Sequence, residues 1–586
     1  MRAPWLGGTG DSPRSCSDAS VPARHTSPMS VLAIDAGTTG VTALIVTADG
    51  GIAGRGYSEF SQYFPEPGWV EQLPDEIWQA TLAACGQAIG SLPDGGRGSD
   101  PVSCVGITNQ RETAVIWDSS TLAAPRRAIV WQDRRTARIC AELRAAGHEE
   151  RVAELTGLRI DPYFTATKLT WLARQQDPVW EGVTDGSLAL GTVDSYLIAR
   201  LTGGRRHVTD ASNASRTLLF DIAAGQWSAE LCELFGVPPH ALPEVTASSG
   251  EIGVTDPGAF LGLSVPIAGV AGDQQAALFG QACFAPGSSK CTYGTGSFLL
   301  TNTGGRIVRS GAGLLSTVAW MDDSGALTYA LEGAVFVTGA AIQWLRDGLG
   351  LIGHAAESEA LARSVPDSGG VVFVPALTGL GAPHWDPDAR GAIFGLTRGS
   401  TRAHLARATL EAIAFEVRDV VDVMTAETAA AAAIGAAGGI SGGAAGGDSG
   451  GTAGGHSGGA AGGAEGDSDG GFAGGTAAGA AAGGTHQPLR VDGGAAANDL
   501  LMQVQADQLQ VPVERPVIAE TTGLGAAFLA GLATGVWSST AELADTWRLD
   551  RRFDPGPRDD AAHGRWREAV RRSLHWAAEA GPGEPG

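Results

Sequence analysis

The sequence has few cysteines, few basic residues and no long apolar run, and each shortage excludes a class of protein. Its seven cysteines form no CxxC pair and no repeating spacing, which argues against structural zinc and against a disulfide framework. Scattered thiols fit a reducing cytoplasm. Lys and Arg total 40 against 63 Asp and Glu, a net charge of −23, which argues against binding to nucleic acid or to an anionic membrane. No apolar run reaches the roughly 18 residues of a membrane-spanning helix.

The length of 586 residues and the hydrophobic content of 43% predict at least two folded domains. We expect one domain over residues 29–275 and a second over residues 276–556, followed by a C-terminal helix and tail over residues 557–586. Residues 1–28 have almost no apolar content. They do not resemble a secretory signal, and we expect a disordered extension ahead of a natural start at Met29.

The composition between about residues 427 and 487 collapses into Gly, Ala, Ser and Asp. Such a segment has too little apolar mass to form a core, so we expect a disordered insert. It follows an amphipathic helix predicted over residues 404–424 and precedes a strand predicted over residues 489–491. The insert is therefore expected in a surface loop, where the entropic cost of closure grows only logarithmically with length.

The most informative stretch is residues 265–278. An apolar, strand-like run ends at Gly272 and is followed by Asp273, two glutamines and a helix rich in Ala and Leu. A carboxylate at the end of a strand, facing a helix N-terminus, can take a proton from a hydroxyl while neighbouring amides hold the alcohol. The alternative is that Asp273 only caps the next helix, as Asp commonly does.

Two turns rich in Gly and Thr predict phosphate-binding hairpin tips. The first, residues 35–40, lies between strands predicted over residues 31–34 and 41–46, and the second lies within residues 292–298. Backbone N–H groups and hydroxyls at such tips can cradle phosphate, and Asp35 can hold hydrated Mg²⁺. Each turn alone also fits a plain glycine-rich hairpin. One tip in each half indicates duplicated domains that grip one phosphate chain.

A strand predicted over residues 102–108 runs into the adjacent pair Arg111 and Glu112. Both side chains cannot point into an apolar core, so the ordinary expectation is a surface ion pair. The functional alternative is a donor and an acceptor for a polyhydroxyl ligand. Trp131 and Tyr163 stand in similar strand-to-loop contexts, where they fit either the core or an aromatic face for the C–H edges of a small polyol.

Three features of the second half complete the pattern. Residues 332–344 are expected to form a helix that begins in a turn rich in Gly and Ala. The pair Gly493-Gly494, after the strand at residues 489–491, either lets a ligand approach the backbone closely or simply makes a tight turn. A helix of small residues that begins at Thr521 is expected to pack closely against its neighbours.

These pieces together resemble the FGGY carbohydrate kinases, and most closely the members that act on glycerol. The resemblance covers roughly residues 31–576 without the insert. It implies an α/β fold of two actin/Hsp70-like (ribonuclease H-like) ATPase domains that flank a cleft, with the substrate on the N-terminal side and the nucleotide on the C-terminal side. It rests on an ordered series of runs: GITNQRETAVIW, AIVWQDRR, DPYF, TDASNASRT, AGDQQAALFGQ, TYGTG, ALEGAVF, IQWLRD, GLGAPHWDPDARGAIFGLTRG and RVDGGAAAN.

The resemblance implies that the chain phosphorylates glycerol with MgATP, giving sn-glycerol 3-phosphate and ADP in glycerol uptake and degradation. It also implies a cytoplasmic homo-oligomer of two or four chains, without nucleic-acid partners or membrane insertion. Phosphoryl transfer asks a protein mainly for in-line positioning and charge neutralisation. Closing two domains would also exclude water, which otherwise makes such a site an ATPase.

The resemblance assigns roles to residues of this chain. Asp273 would be the general base, and Asp35 and Asp273 would lie beside Mg²⁺. The residues implied for glycerol are Arg111, Glu112, Tyr163, Asp273 and Gln274, with Trp131 and Phe298 as apolar walls. The residues implied for the nucleotide are Thr38, Thr39, Gly40, Thr295, Gly339, Gln343, Gly494 and Asn498.

The first hairpin tip departs from the family pattern, because Thr42 stands where an arginine is common. The lost cation is expected to weaken phosphate contacts by about 1.5–3 kcal/mol. Two other interpretations stay open, since a fold alone does not fix function. One is another FGGY kinase, for a different polyol or a pentulose; the other is a non-catalytic nucleotide-binding sensor whose insert recruits a partner.

Overall fold

The computed structural model describes residues 29–92, 102–438 and 487–577. The expected N-terminal extension and most of the expected insert lie outside the described residues. Each helix in these three ranges is too short or too polar to span a membrane. The six cysteines in the ranges are buried free thiols.

Strands and helices are numbered in chain order within the described residues. The strands are β1 (Ser30–Ala36), β2 (Gly40–Thr47), β3 (Ile52–Glu59), β4 (Glu71–Gln72), β5 (Val102–Asn109), β6 (Val115–Asp118), β7 (Ala128–Ile129), β8 (Leu188–Gly191), β9 (Val208–Asp210), β10 (Phe220–Asp221), β11 (Gln226–Trp227), β12 (Glu244–Thr246), β13 (Ser249–Val254), β14 (Pro266–Gly272), β15 (Ser289–Tyr293), β16 (Ser297–Gly304), β17 (Leu315–Met321), β18 (Leu327–Val335), β19 (Val372–Val374), β20 (Ala392–Phe394), β21 (Leu489–Asp492), β22 (Val513–Pro516) and β23 (Leu549–Phe553). The helices are α1 (Pro74–Gly90), α2 (Ala137–Ala145), α3 (Glu149–Thr156), α4 (Thr165–Arg174), α5 (Pro178–Asp185), α6 (Val193–Leu201), α7 (Ala211–Ala214), α8 (Ala229–Phe235), α9 (Asp273–Gly280), α10 (Gly339–Gln343), α11 (Glu357–Arg363), α12 (Arg402–Gly438), α13 (Asp499–Leu509), α14 (Thr521–Thr534), α15 (Thr540–Thr546) and α16 (Asp560–Ser573).

Two mixed sheets, one of six strands and one of seven, organise these elements. The first runs in the order β13-β14-β5-β1-β2-β3 and the second in the order β17-β18-β16-β15-β21-β22-β23. In the first sheet β3, β2 and β1 are antiparallel, whereas β1, β5 and β14 are parallel. Strands β18, β16, β15, β21 and β22 repeat this sequence of directions in the second sheet. The prediction of a duplicated α/β unit is therefore confirmed.

The central strands of the first sheet follow from continuous apolar runs. Almost every side chain of β1 and β2 is buried, and both faces of the sheet are covered, as is typical where parallel strands lie between helices. The strands predicted at residues 31–34, 41–46 and 102–108 are confirmed, with ends shifted by one or two residues.

Helix α14 is the predicted helix of small residues, and it packs on both α9 and the parallel strands of the first sheet. The close approach requires glycine. A Cβ on Gly525 would lie 1.8 Å from the carbonyl oxygen of Ala276, and a Cβ on Gly106 would lie 2.1 Å from that of Ala526. Helix α9, which begins at Asp273, is therefore held against the rest of the molecule by backbone-to-backbone packing.

Two predictions of secondary structure are wrong. Residues 332–335 belong to β18, because pairing with β16 holds them in a strand, and helix α10 begins only at Gly339. The expected insert does not begin at residue 427, because α12 continues to Gly438. A run of alanines favours helix, and Glu427 also accepts a hydrogen bond from the N–H of Ala312 at 3.0 Å.

Candidate active site

The ends of three parallel strands bring the main candidate residues to one edge of the first sheet. The last residues of β1 and β14 both pair with the end of β5 at Asn109. Asp35, Arg111 and Asp273 consequently meet at the carboxyl edge, where ligands bind in open α/β sheets. Gly272 allows this approach, since a Cβ there would lie 2.6 Å from Cγ of Arg111.

Asp273 is the first residue of α9, one position after the N-cap residue Gly272. Its Oδ1 accepts a hydrogen bond from the N–H of Gln274 at 2.7 Å and lies 3.1 Å from Nε of Arg111. The side chain is 30% exposed, whereas that of Arg111 is 1% exposed. The alternative that Asp273 caps the helix is wrong, because Gly272 takes that position. The carboxylate is instead held through one oxygen and is accessible to solvent.

Arg111 uses its four Nη–H donors on protein acceptors. Nη1 donates to Oε2 of Glu332 at 2.6 Å and to Oε1 of Gln275 at 3.2 Å. Nη2 donates to the hydroxyl of Tyr163 at 3.1 Å and to Oε1 of Glu332 at 3.2 Å. Nε faces Asp273. A substrate hydroxyl can therefore bind the two Nη groups only by competing with one of these partners.

A second arginine, Arg216, completes a buried charge cluster with Arg111, Glu112 and Glu332. Its Nε donates to Oε1 of Glu112 and its Nη2 to Oε1 of Glu332, both at 2.9 Å. Burial alone would raise the pKa of Glu332, but Arg111 and Arg216 outweigh it and bring that pKa to about 2. At Glu112 burial prevails over the two arginines, and the pKa lies above its usual value.

The expectation of a surface ion pair at Arg111 and Glu112 is wrong. Both side chains are buried, with 1% and 2% exposed, because the surrounding interior is charged rather than apolar. Sequence reasoning misses Arg216 and Glu332, which come from distant parts of the chain. The available signal at Glu332 is a single charge within the apolar run of residues 329–335.

The other residues implied for the substrate come from both halves of the chain. The rings of Trp131 and Tyr163 meet edge to face at 5.5 Å. Gln274 is buried, and its Oε1 accepts from Nζ of Lys290 at 2.5 Å. Phe298 is half-buried on β16, opposite Thr292 of β15. The first three residues adjoin the charge cluster from the first half, and Phe298 belongs to the second; the substrate contacts of all four stay predictions.

The first hairpin tip, residues 37–39, is fixed by side chains from its own half. Nε1 of Trp131 donates to Oγ1 of Thr38 at 3.0 Å, and Nε2 of Gln72 donates to the carbonyl oxygen of Thr38 at 2.7 Å. Thr39 is exposed at the apex. Gly40 begins β2 where a Cβ would lie 2.8 Å from the carbonyl oxygen of Ser58. The tip thus exposes the hydroxyl-bearing side chain of Thr39 and is hydrogen-bonded to Trp131, which the resemblance places beside the substrate.

The second tip, residues 294–296, sits against the start of α10. The N–H of Gly339 donates to the carbonyl oxygen of Gly294 at 3.0 Å, and Thr295 is exposed. Gly493 has a φ of 86°, and a Cβ there would lie 2.6 Å from the carbonyl oxygen of Tyr293. The tip, α10 and the Gly493-Gly494 turn are therefore neighbours, as the resemblance implies for a nucleotide site.

Three further residues implied for the nucleotide differ in how they are held. Gln343 and Gly494 are exposed. Asn498 is engaged at both ends of its amide: Oδ1 caps α13 by accepting from the N–H of Leu501 at 3.0 Å, and Nδ2 donates to Oγ of Ser358 at 3.3 Å. A nucleotide contact through this amide would compete with those bonds, and the role of all three residues stays a prediction.

Asp35 and Asp273 are the carboxylates at which Mg²⁺ is expected. Burial and, next, the negative charge of Asp273 raise the pKa of Asp35 to about 7, and a divalent cation would relieve both effects. The described residues contain no group of three or more His, Cys, Asp or Glu side chains that could hold a metal ion. The pair fits Mg²⁺, which usually combines one or two carboxylates with water and substrate phosphates.

Comparison with known proteins finds two family matches and several similar relatives. The model of the N-terminal domain of the FGGY family of carbohydrate kinases matches residues 30–280, and the model of the C-terminal domain matches residues 289–534. A glycerol kinase of Symbiobacterium thermophilum is 50% identical over 94% of this chain and 99% of its own. Glycerol kinase 2 of Thermotoga maritima is 48% identical over 93% of this chain and 99% of its own.

A solved structure of a glycerol kinase is also similar to this chain over nearly its whole length. The crystal structure of Plasmodium falciparum glycerol kinase with ADP superimposes with a TM-score of 0.78 at 32% identity, covering 93% of this chain and 98% of that one. The duplicated sheets agree with the two-domain α/β fold that the sequence resemblance implies. The chain therefore belongs to the FGGY family of carbohydrate kinases.

Proposed function

We propose that this protein is an ATP:glycerol 3-phosphotransferase, which converts glycerol and MgATP into sn-glycerol 3-phosphate and ADP. Relatives about half identical to it across nearly the whole chain are named glycerol kinases. The structural observation that carries the proposal is the accessible Asp273 carboxylate, held 3.1 Å from Nε of Arg111 at the start of α9.

Asp273 is suited to remove the proton of the attacking hydroxyl. The contacts of Arg111 and of the Gln274 N–H both fall on Oδ1, which leaves Oδ2 for the substrate proton. Arg111 and Arg216 face three carboxylates, namely Glu112, Glu332 and Asp273. General-base assistance of this kind typically contributes a factor of about 10²–10⁴ in rate.

Phosphate positioning falls to the two hairpin tips. Thr38, Thr39 and Gly40 from the first tip and Thr295 from the second would hold the phosphates, while Gly339, Gln343, Gly494 and Asn498 would line the rest of the nucleotide site. Asp35 and Asp273 would hold Mg²⁺. That ion, when bound, supplies charge neutralisation on the transferring phosphoryl group.

Glycerol would lie between the charge cluster and the aromatic residues. Arg111, Glu112, Tyr163 and Gln274 offer donors and acceptors for its hydroxyls, and Trp131 and Phe298 would be its apolar walls. The rings of Trp131 and Tyr163 pack edge to face at 5.5 Å, and the Arg111–Glu112 pair together with these aromatic residues favours a three-carbon triol over a pentulose. Buried free thiols in the described ranges fit a cytoplasmic location, and we expect a homo-oligomer of two or four chains.

A substrate panel tests the proposal. Purified protein is assayed with MgATP and glycerol, dihydroxyacetone, xylulose or ribulose, and both ADP and the phosphorylated product are measured. We expect the highest kcat/KM for glycerol, with one sn-glycerol 3-phosphate per ADP. A preference for a pentulose would reassign the chain within its family. ATP binding without any phosphorylated product would support a sensor instead.

A further inference from the structure

Lysine is nearly absent from this protein. Of its 40 Lys and Arg residues, two are lysines, Lys168 and Lys290. Both are 0% exposed, whereas the lysine of a typical protein is on the surface and is almost never fully buried without partners. In a chain that uses arginine for every other cation, two buried lysines indicate sites where the compact ammonium is needed rather than positive charge alone.

Lys290 holds the amide of Gln274. It lies on β15, and its Nζ donates to Oε1 of Gln274 at 2.5 Å and to Oγ1 of Thr292 at 2.9 Å. An ammonium has donors and no acceptor, so the amide must present its oxygen to Lys290. The NH₂ group of Gln274 is therefore the end available to a ligand beside Asp273, and it can only donate.

Lys168 holds the backbone that carries Tyr163. Its Nζ donates to the carbonyl oxygens of Pro162 at 2.8 Å, of Tyr163 at 2.8 Å and of Phe164 at 3.0 Å. All three donors of the ammonium are thus used on three consecutive residues. The hydroxyl of Tyr163 in turn lies 3.1 Å from Nη2 of Arg111.

We propose that Lys168 and Lys290 are positioning residues that orient the glycerol-binding groups from two sides of the charge cluster. Lys290 fixes Gln274 so that its NH₂ group donates to a glycerol hydroxyl, and Lys168 fixes the segment that aims Tyr163. A guanidinium is a planar fork and cannot direct three donors at acceptors grouped around one point. This inference rests on the proposed function, and it adds two residues that act through others rather than on glycerol itself.

A double-mutant cycle tests the role of Lys290. The variants are Lys290→Met, Gln274→Ala and the combination, and KM for glycerol, KM for MgATP and kcat are measured for each. We expect Lys290→Met to raise KM for glycerol about tenfold, as for the loss of a charged hydrogen bond, and to leave KM for MgATP unchanged. Because both changes remove the same contact, Gln274→Ala should add less than about twofold in the Lys290→Met background.

An isosteric variant gives a reading that does not depend on how well Lys290→Met folds. Gln274→Glu keeps an oxygen facing Lys290 but removes the NH₂ donor. It is expected to raise KM for glycerol about tenfold as well, with an unchanged unfolding midpoint. A Gln274→Glu protein with the wild-type KM for glycerol would overturn the assigned orientation of the amide.

Charge-preserving swaps separate shape from charge. Lys168→Arg and Lys290→Arg are each expected to raise KM for glycerol about tenfold. The planar guanidinium cannot make the hydrogen bonds of the ammonium, so Gln274 and the segment that carries Tyr163 would shift. The matched control is Arg138→Lys on α2, where the side chain is 91% exposed and no kinetic change is expected. The inference would be overturned if the arginine variants kept the wild-type KM for glycerol. It would also be overturned if Lys290→Met and Gln274→Ala raised KM for glycerol independently, so that their fold-changes multiply in the double variant.

A wild-type protein that does not phosphorylate glycerol would instead refute the proposed function.

Discussion

Glu332 and Glu416 are both buried glutamates of the second half, with 0% and 4% exposed, yet their pKa values differ widely. At Glu332 on β18, the two arginines overcome burial and lower the pKa to about 2. At Glu416 on α12, burial and the neighbouring Asp419 raise the pKa to about 8, and Oε2 has no hydrogen-bond partner among the described residues. Both glutamates are buried, so the charge of the neighbouring side chains decides whether a buried carboxylate is ionised.

The largest effect in this comparison is expected for Glu332→Gln. The change leaves Arg111 and Arg216 buried with one carboxylate fewer, and breaking a buried ion pair typically costs about 3–5 kcal/mol. We expect the free energy of unfolding, measured by denaturant titration, to fall by about 3 kcal/mol. We also expect kcat to fall, because the amide keeps only one of the two oxygens that accept hydrogen bonds from Arg111 and hold its guanidinium beside Asp273.

The control for this variant is Glu142→Gln on α2, where an exposed glutamate pairs with Arg138 and Arg174. Exposed pairs contribute little, so the expected change is below about 0.5 kcal/mol. Equal losses of stability in the two variants would contradict the role given to the buried cluster.

The same substitution at Glu416 is expected to have the opposite sign. The folded pKa of about 8 lies above the usual 4.5, so the folded protein keeps a proton that the unfolded chain releases between these values. Stability due to this group is therefore present below about pH 4.5 and is lost as pH rises toward about 8. Glu416→Gln should be more stable than the wild type at pH 8, by about 2 kcal/mol, and similar to it at pH 5. Parallel curves of stability against pH would refute this.

A smaller effect is expected at Asp35, the intermediate case, whose pKa is about 7. Thr42 lies directly opposite it across the β1–β2 ladder, so Thr42→Arg would place a cation beside the carboxylate. We expect the pKa of Asp35 to fall below 7 and KM for MgATP to decrease a few-fold, about 1 kcal/mol. Thr184→Arg, at an exposed position of α5, is the control. An unchanged KM for MgATP would mean that the missing arginine has no consequence here.

The parts of the site that the sequence predicts lie where an apolar strand stops at a polar residue. Asp35, Arg111 and Asp273 each lie at the end of such a run. Parallel strands bring their carboxyl ends to one edge of a sheet, and this does not depend on the conformation of the loops. The two hairpin tips are predictable for the same reason, since glycine after a buried strand is typical of a tight turn. One tip near the start of each half indicates two repeated units.

What the sequence does not predict depends on contacts between distant segments. The sequence predicts that Glu332 opens a helix in a turn rich in Gly and Ala, whereas pairing with β16 holds it in a strand. Its ion pairs join it to residues 111 and 216, over a hundred positions away. The burial of Arg111 and Glu112 also cannot be predicted from the local sequence, because it depends on Arg216 and Glu332. The composition predicts disorder from about residue 427. Helix α12 nevertheless continues to Gly438, because alanine has a high helix propensity.

The most direct test of the account is kcat of Asp273→Asn with glycerol and MgATP. Asparagine keeps the shape and can still lie beside Arg111, but it cannot take a proton. We expect kcat to fall by at least about 100-fold, with the unfolding midpoint unchanged. Asp323→Asn, exposed in the turn between β17 and β18, should match the wild type. An Asp273→Asn protein that turns over at nearly the wild-type rate would contradict the assignment of Asp273 as the base.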